Sequence, residues 1–144
     1  MTRIALAGLL LMGSVATGAC SKSPTAPSTT ATTTTTSTEL YTGVLSPNGS
    51  SFYFFTVTTA GAVSVTLAST TTAKVGPAVA ARLSVGLGIP VGFGCTASSS
   101  VDTTPGLTAQ LSSASSALGI YCVNVSDRGG LSGDVNFVIR IIHT

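Results

Sequence analysis

From Glu39 to the end of the chain, hydrophobic and polar positions alternate with a period of two. Tyr53, Phe55 and Val57 alternate with Phe54, Thr56 and Thr58. Val63, Val65 and Leu67 alternate with Ser64 and Thr66, and Leu83, Val85 and Leu87 with Arg82, Ser84 and Gly86. Leu107, Ala109 and Leu111 alternate with Thr108 and Gln110. Tyr121, Val123 and Val125 alternate with Cys122, Asn124 and Ser126, and Val135, Phe137, Ile139 and Ile141 with Asn136 and Arg140. Side chains two apart share one face of a strand, so each run buries one face. Two runs are apolar on the second face as well: Phe52 and Phe54 flank Tyr53, and Val138 and Ile142 flank Ile139. Such runs predict central strands lying under loops. The other reading is an exposed patch for a partner.

Turn signals separate the runs: Ser46-Pro47-Asn48-Gly49, Thr59-Ala60-Gly61, Gly76-Pro77, Thr104-Pro105-Gly106 and Asp127-Arg128-Gly129-Gly130. No segment shows a helical stripe closed by caps. Ala78 to Ala81 is alanine-rich, but its β-branched and glycine neighbours favour strand. Short strands punctuated by turns predict an all-β fold, an antiparallel β-sandwich of jelly-roll or immunoglobulin-like size with about seven to nine strands. It is expected to occupy residues 39–144.

The first part of the chain follows another grammar. Arg3 is its only charge before Lys22, and Ile4 to Met12 form an apolar core. A cationic start, a short apolar stretch and small residues describe a secretory signal, expected over residues 1–19. The stretch is too short and too rich in Gly, Ser and Thr for a spanning helix. It ends in Thr17-Gly18-Ala19-Cys20, which resembles the lipobox of bacterial lipoproteins, although Thr17 stands where Leu is usual. The resemblance implies that the Cys20 thiol is acylated and the signal removed just before it. Ser21, where Asp commonly signals inner-membrane retention, implies the outer membrane. The expected location is therefore the cell envelope, with the membrane engaged through a lipid anchor. The alternative is an ordinary cleavage near Ala16 or Ala19 that leaves Cys20 as a free thiol.

Residues 20–38 form the expected linker. Ser21 to Thr38 holds nine Thr, four Ser and two Pro, and no large apolar side chain. Such a segment buries too little to offset the cost of ordering, so a disordered tether is predicted. As a coil it would average roughly 25 Å; stretched, it would reach about 60 Å.

There are three cysteines, and an odd count in an exported protein flags a leftover thiol. With Cys20 assigned to lipid, Cys95 and Cys122 remain, and an oxidising compartment lets them pair. Two buried reduced thiols are the alternative.

Composition narrows the chemistry. Only 7% of residues are charged, the net charge is +2, and Trp is absent. No basic run exists, so an electrostatic grip on nucleic acid is excluded as an expectation. No Gly-x-Ser-x-Gly occurs, and the only histidine, His143, sits next to the C-terminus, where fraying is normal. The carboxylates Glu39, Asp102, Asp127 and Asp134 each adjoin a turn or a terminus and read as solvated. Asp127 and Asp134 flank a glycine-rich hairpin and are weak candidates for calcium, which wants about six to eight oxygens. Gly86-x-Gly88 and Gly92-x-Gly94 bracket Ile89-Pro90-Val91 without a following helix and do not form a dinucleotide fingerprint. No catalytic residue and no cofactor are expected.

Two stretches carry a further resemblance. Ser51 to Val57 followed by Gly61 to Leu67, and Gly119 to Asp127 followed by Gly130 and the run from Val135 to Ile142, look like bacterial pre-peptidase C-terminal domains. Those are small β-sandwiches that accompany secreted enzymes and surface proteins. The likeness covers roughly residues 40–142 and rests on strand and turn grammar. The Cys95 and Cys122 pair and the scarcity of Asp depart from it, so no functional residue carries over. Together these readings lead to the expectation of a non-enzymatic, lipid-anchored envelope protein whose sandwich binds an unidentified protein or polysaccharide or helps build the envelope. The alternative is an accessory domain of, or acting in trans with, a secreted hydrolase of peptides or polysaccharides.

Overall fold

A computed structural model describes residues 35–74 and 76–144. The expected signal peptide, Cys20 and the linker up to residue 34 lie outside the described residues. Eight strands follow one another: β1 (Ser37–Leu45), β2 (Ser50–Val57), β3 (Gly61–Thr72), β4 (Leu83–Val91), β5 (Gly94–Thr103), β6 (Leu111–Ser116), β7 (Gly119–Ser126) and β8 (Val135–His143). They form two four-stranded sheets, in the orders β1-β8-β3-β6 and β2-β7-β4-β5, and every pairing is antiparallel. The chain is an open β-sandwich, as the alternation predicts.

The predicted inward positions are the core. Phe55, Val57, Val63, Val65, Leu67, Leu83, Val85, Leu87, Val123, Val125, Phe137, Ile139 and Ile141 are all buried. Along β8 the pattern is strictly alternating, with Val135, Phe137, Ile139, Ile141 and His143 inside. Each buried aliphatic or aromatic side chain contributes about 1.5–3 kcal/mol relative to an exposed one, and this supplies the force that seats one sheet on the other.

One lateral side of the sandwich is closed by tyrosines. The Tyr41 hydroxyl on β1 donates across to the Phe54 carbonyl on β2 at 2.8 Å, and Tyr53 on β2 donates back to the Thr42 carbonyl on β1 at 3.1 Å. Their rings stack with centroids 4.8 Å apart. This reciprocal clasp ties together the two edge strands on that side.

Four local expectations are corrected. The run from Leu107 to Leu111 is a connection, not a strand, and β6 begins only at Leu111. Its backbone follows β3, with Gly106 N–H bonding Leu67 O at 2.9 Å, and the Gln110 side chain accepts from Leu67 N–H at 2.7 Å. A side-chain amide thus replaces the next ladder rung, and Leu107 is left outside. Ala78 to Ala81 has no strand beyond one isolated bridge between Thr71 and Ala78. β1 begins at Ser37, two residues inside the segment expected as linker, because Ser37 and Thr38 pair with His143 and Ile142. Finally, β8 is central in its sheet, but β2 is an edge strand, so Phe52 and Phe54 face outward uncovered by any neighbouring strand.

Candidate functional site

The strand ends give the sandwich two poles. At one, β2 ends, β7 begins, β8 ends and β1 begins, as the pairings Val57 with Gly119 and Ser37 with His143 require. The β4–β5 turn and the connection from β6 to β7 lie at the same pole. At the other pole lie the turn after β1, the start of β4 and the connection from β7 to β8.

The β4–β5 hairpin is built by three local features. β4 pairs with β7 only as far as Gly88, opposite Cys122, so from Ile89 onward β4 has only β5 beside it. Pro90, which lacks an N–H, falls in this one-sided stretch, where its missing donor is tolerated. Gly92 takes φ of 58° at the first turn position, matching the glycine preference of a type II′ hairpin. The register then skips Ser98, a β-bulge, and β5 bends over the outer face of β4. A Cβ on Gly88 would sit 1.9 Å from the Thr96 carbonyl oxygen, so only glycine admits this approach.

That bend brings Cys95 to Cys122. The two form a disulfide with Cα atoms 5.7 Å apart, within the range such a bridge needs. The expected pairing is present, and the reduced-thiol alternative is discarded. The bridge crosses over β4 and pins the base of the hairpin to β7. Beyond it the tip stands in solvent: Phe93 is fully exposed, and Ile89 and Val91 are more than half exposed. Leu118 and Ile120, at the start of β7, are also more than half exposed. Phe54, paired with Cys122, and Phe52 continue this apolar surface across β2, their rings 5.5 Å apart edge to face.

The polar residues singled out in the sequence do other work. His143 does not fray: it ends β8, is only 4% exposed, and packs against the Phe55 ring at 5.3 Å. Its Nε2 lies 2.8 Å from Glu39 Oε1, where a carboxylate accepts and so sets the imidazole tautomer. The other Glu39 oxygen also meets the Tyr41 hydroxyl, whose single proton is shared between that carboxylate and the Phe54 carbonyl. Burial first, and the Glu39 hydrogen bond and charge after it, push the Tyr41 phenol up to about 12. Glu39 is therefore a strand residue holding a buried histidine and a clasp tyrosine, not a solvated terminal group. The imidazole joins two strands that pair, which no linear spacing reveals.

Asp127 is likewise not solvated; it is 7% exposed. One carboxylate oxygen accepts from Asn48 N–H at 2.8 Å, and the other from Gly130 N–H at 2.8 Å and Leu131 N–H at 3.2 Å. These backbone donors, Asn48 foremost, hold its carboxyl below the ordinary range. Oxygens surrounded by N–H groups are poorly arranged for a cation. Asp134 stands apart as an exposed residue, with its backbone carbonyl bonded to Ala73 N–H at 3.1 Å. Asp102 on β5 meets Arg128 at 3.6 Å on the surface, a pair worth little in water. Among the described residues, no group of three or more His, Cys, Asp or Glu side chains could hold a metal ion. Nor is any described helix long and apolar enough to cross a membrane.

Compared with protein-family models and with curated proteins, the chain finds no match.

Proposed function

We propose that this chain is a lipid-anchored protein of the bacterial cell envelope, held in the outer membrane through Cys20. A Thr/Ser-rich tether carries its β-sandwich, a non-enzymatic module for binding or envelope architecture. The observation that carries this reading is the fate of the cysteines. Cys95 and Cys122 bond to each other, which leaves Cys20 as the third cysteine of the chain, at the end of the lipobox-like Thr17-Gly18-Ala19-Cys20. The bridge also suits an oxidising compartment outside the cytoplasm. Support for a non-enzymatic role comes from the carboxylates. Glu39 and Asp127 are engaged in holding strands and turns, and Asp102 faces an arginine. The role of accessory to a secreted hydrolase rests on strand and turn likeness, and none of the described carboxylates favours it.

The test is the intact mass of the protein extracted from membranes, with and without reductant. Acylated residues 20–144, gaining two protons on reduction, is the expected result. An unacylated chain would overturn the anchor and with it the envelope assignment.

A further inference from the structure

We infer that the β4–β5 turn is a membrane-contacting element, and that Ile89, Val91 and Phe93 enter the interfacial layer of the phospholipid bilayer to which Cys20 is attached. This rests on the lipid-anchor reading above and extends it from the tether to the domain.

Three observations converge. The first is the turn itself. Ile89-Pro90-Val91-Gly92-Phe93-Gly94 contains no charge, and it holds Phe93 wholly in solvent with Ile89 and Val91 55% and 56% exposed. An aromatic side chain fully exposed beside two exposed aliphatic ones is costly to leave wet. The disulfide pins the hairpin base, so the tip does not fold back to hide them.

The second is where the tether enters. β1 begins at Ser37, paired with His143, at the same pole as this turn. The connection from Cys20 to Ser37 spans 17 residues and extends at most about 60 Å. The chain from Cys20 therefore joins the sandwich at the pole that also exposes Ile89, Val91 and Phe93. Leu118 and Ile120 stand at this pole too.

The third is charge. Lys74, Arg82, Asp102, Asp127, Arg128 and Asp134 all lie at the opposite pole, at the ends of β3, β5 and β7 or the starts of β4 and β8. From Glu39 onward two further charged residues remain, and both are engaged: Glu39 bonds His143, and Arg140 donates to the Leu107 carbonyl at 2.7 Å on the outer side of its sheet. Glu39, the charged side chain described at this pole, is already held by His143 and Tyr41, so few ions would have to be desolvated as the turn approaches lipid. The turn itself carries no Lys or Arg, so its insertion should be equal on neutral and anionic bilayers.

The absence of Trp from the chain supplies a clean reporter. Phe93→Trp and, as a control at the opposite pole, Ser132→Trp are each extracted from membranes as full acylated chains. They are then reconstituted into vesicles of phosphatidylcholine, alone or with phosphatidylglycerol, carrying brominated acyl chains. The expected result is blue-shifted emission quenched by bromine for Phe93→Trp, equal in both lipids, and exposed, unquenched emission for Ser132→Trp. If the chain floats with the vesicles while Phe93→Trp stays exposed and unquenched, the anchor stands and this inference falls. If the emission shifts without quenching and the particle has the mass of a dimer, the turn is covered by a second copy and the inference again falls. If the mass shows no acyl group, the anchor reading fails. The turn then counts as membrane-contacting only if the unacylated chain itself partitions into brominated vesicles with quenching of Phe93→Trp. Without that partition, the inference falls as well.

Discussion

Removing the Cys95–Cys122 bridge by the paired change Cys95→Ala and Cys122→Ala is the sharpest test of how this sandwich is stabilised. The bridge closes a loop with a sequence separation of 27, and the chain-entropy relation then assigns it about 3.5 kcal/mol. Cys122 is fully buried, so losing its sulfur adds a packing term of the same sign. The stabilisation acts mostly on the unfolded chain, which without the bridge explores more space and exposes more surface. Two quantities should therefore move together in equilibrium urea unfolding followed by circular dichroism. The midpoint should fall by about 2 M, taking a slope of about 1.5 kcal/mol/M for a domain of this size. The slope itself should rise, because the uncrosslinked unfolded chain is less compact. The strand signal before the transition should be unchanged, since β7 keeps its full ladder with β2 and its ladder with β4 from Cys122 to Ser126. A midpoint shift below about 0.5 M would refute the loop-closure account. Loss of the strand signal in the absence of urea would show instead that the bridge is needed to form the hairpin.

Three further outcomes are expected. Asp127 has a depressed pKa in the fold, held by the backbone donors of Asn48, Gly130 and Leu131, so its contribution is present above the ordinary value of 3.8 and is lost as pH falls through the lower folded value. Asp127→Asn should flatten that acid limb when unfolding midpoints are measured from pH 7 downward; an unchanged limb would remove Asp127 from the account. Gly88→Ala should destabilise by about 1–3 kcal/mol or more, because the new methyl meets the Thr96 carbonyl oxygen and the Ala97 Cα, both backbone; chemical denaturation measures it, and a neutral result would refute the close approach. The Tyr41 phenol, raised to about 12, contributes stability that is complete below its unfolded value near 10 and is lost as pH rises toward the folded one. Phenolate absorbance titration should therefore show a late-ionising tyrosine, and Glu39→Gln should bring it down, since Glu39 supplies both a hydrogen bond and a charge to that shift.

The strands with a strong side were legible as written. β2, β3, β4, β7 and β8 carry apolar residues two apart, and burying them together is the largest favourable term available to the chain. β5 was not legible, because Gly94 to Thr103 is mostly small and polar; it is an edge strand held by backbone pairing to β4 and by one disulfide. The Leu107–Leu111 run misled for the opposite reason. Its alternation is real, but the Gln110 side chain satisfies β3 in place of the backbone, and nothing local to residues 107–111 announces this. Asp127-x-x-Gly130 carried a recognisable turn signal for two of the three carboxylate bonds, whereas the third donor, Asn48, is 79 residues away.

Period-two alternation and the turn residues determined, with no structure in view, that this chain builds an antiparallel sandwich, and they named most of its core. The cysteine count supported the pairing of Cys95 with Cys122. Those are local properties, set by side-chain direction along a strand and by the chemistry of short turns. Only the tertiary structure decided which strands are neighbours. From that order follow the edge position of β2, the burial of His143 against Glu39, the tyrosine clasp, and the placing of the exposed β4–β5 turn at the pole where β1 begins. The reason is physical: strand order depends on the summed packing of both sheets, a quantity shared by residues far apart in the chain and written in no single segment of it.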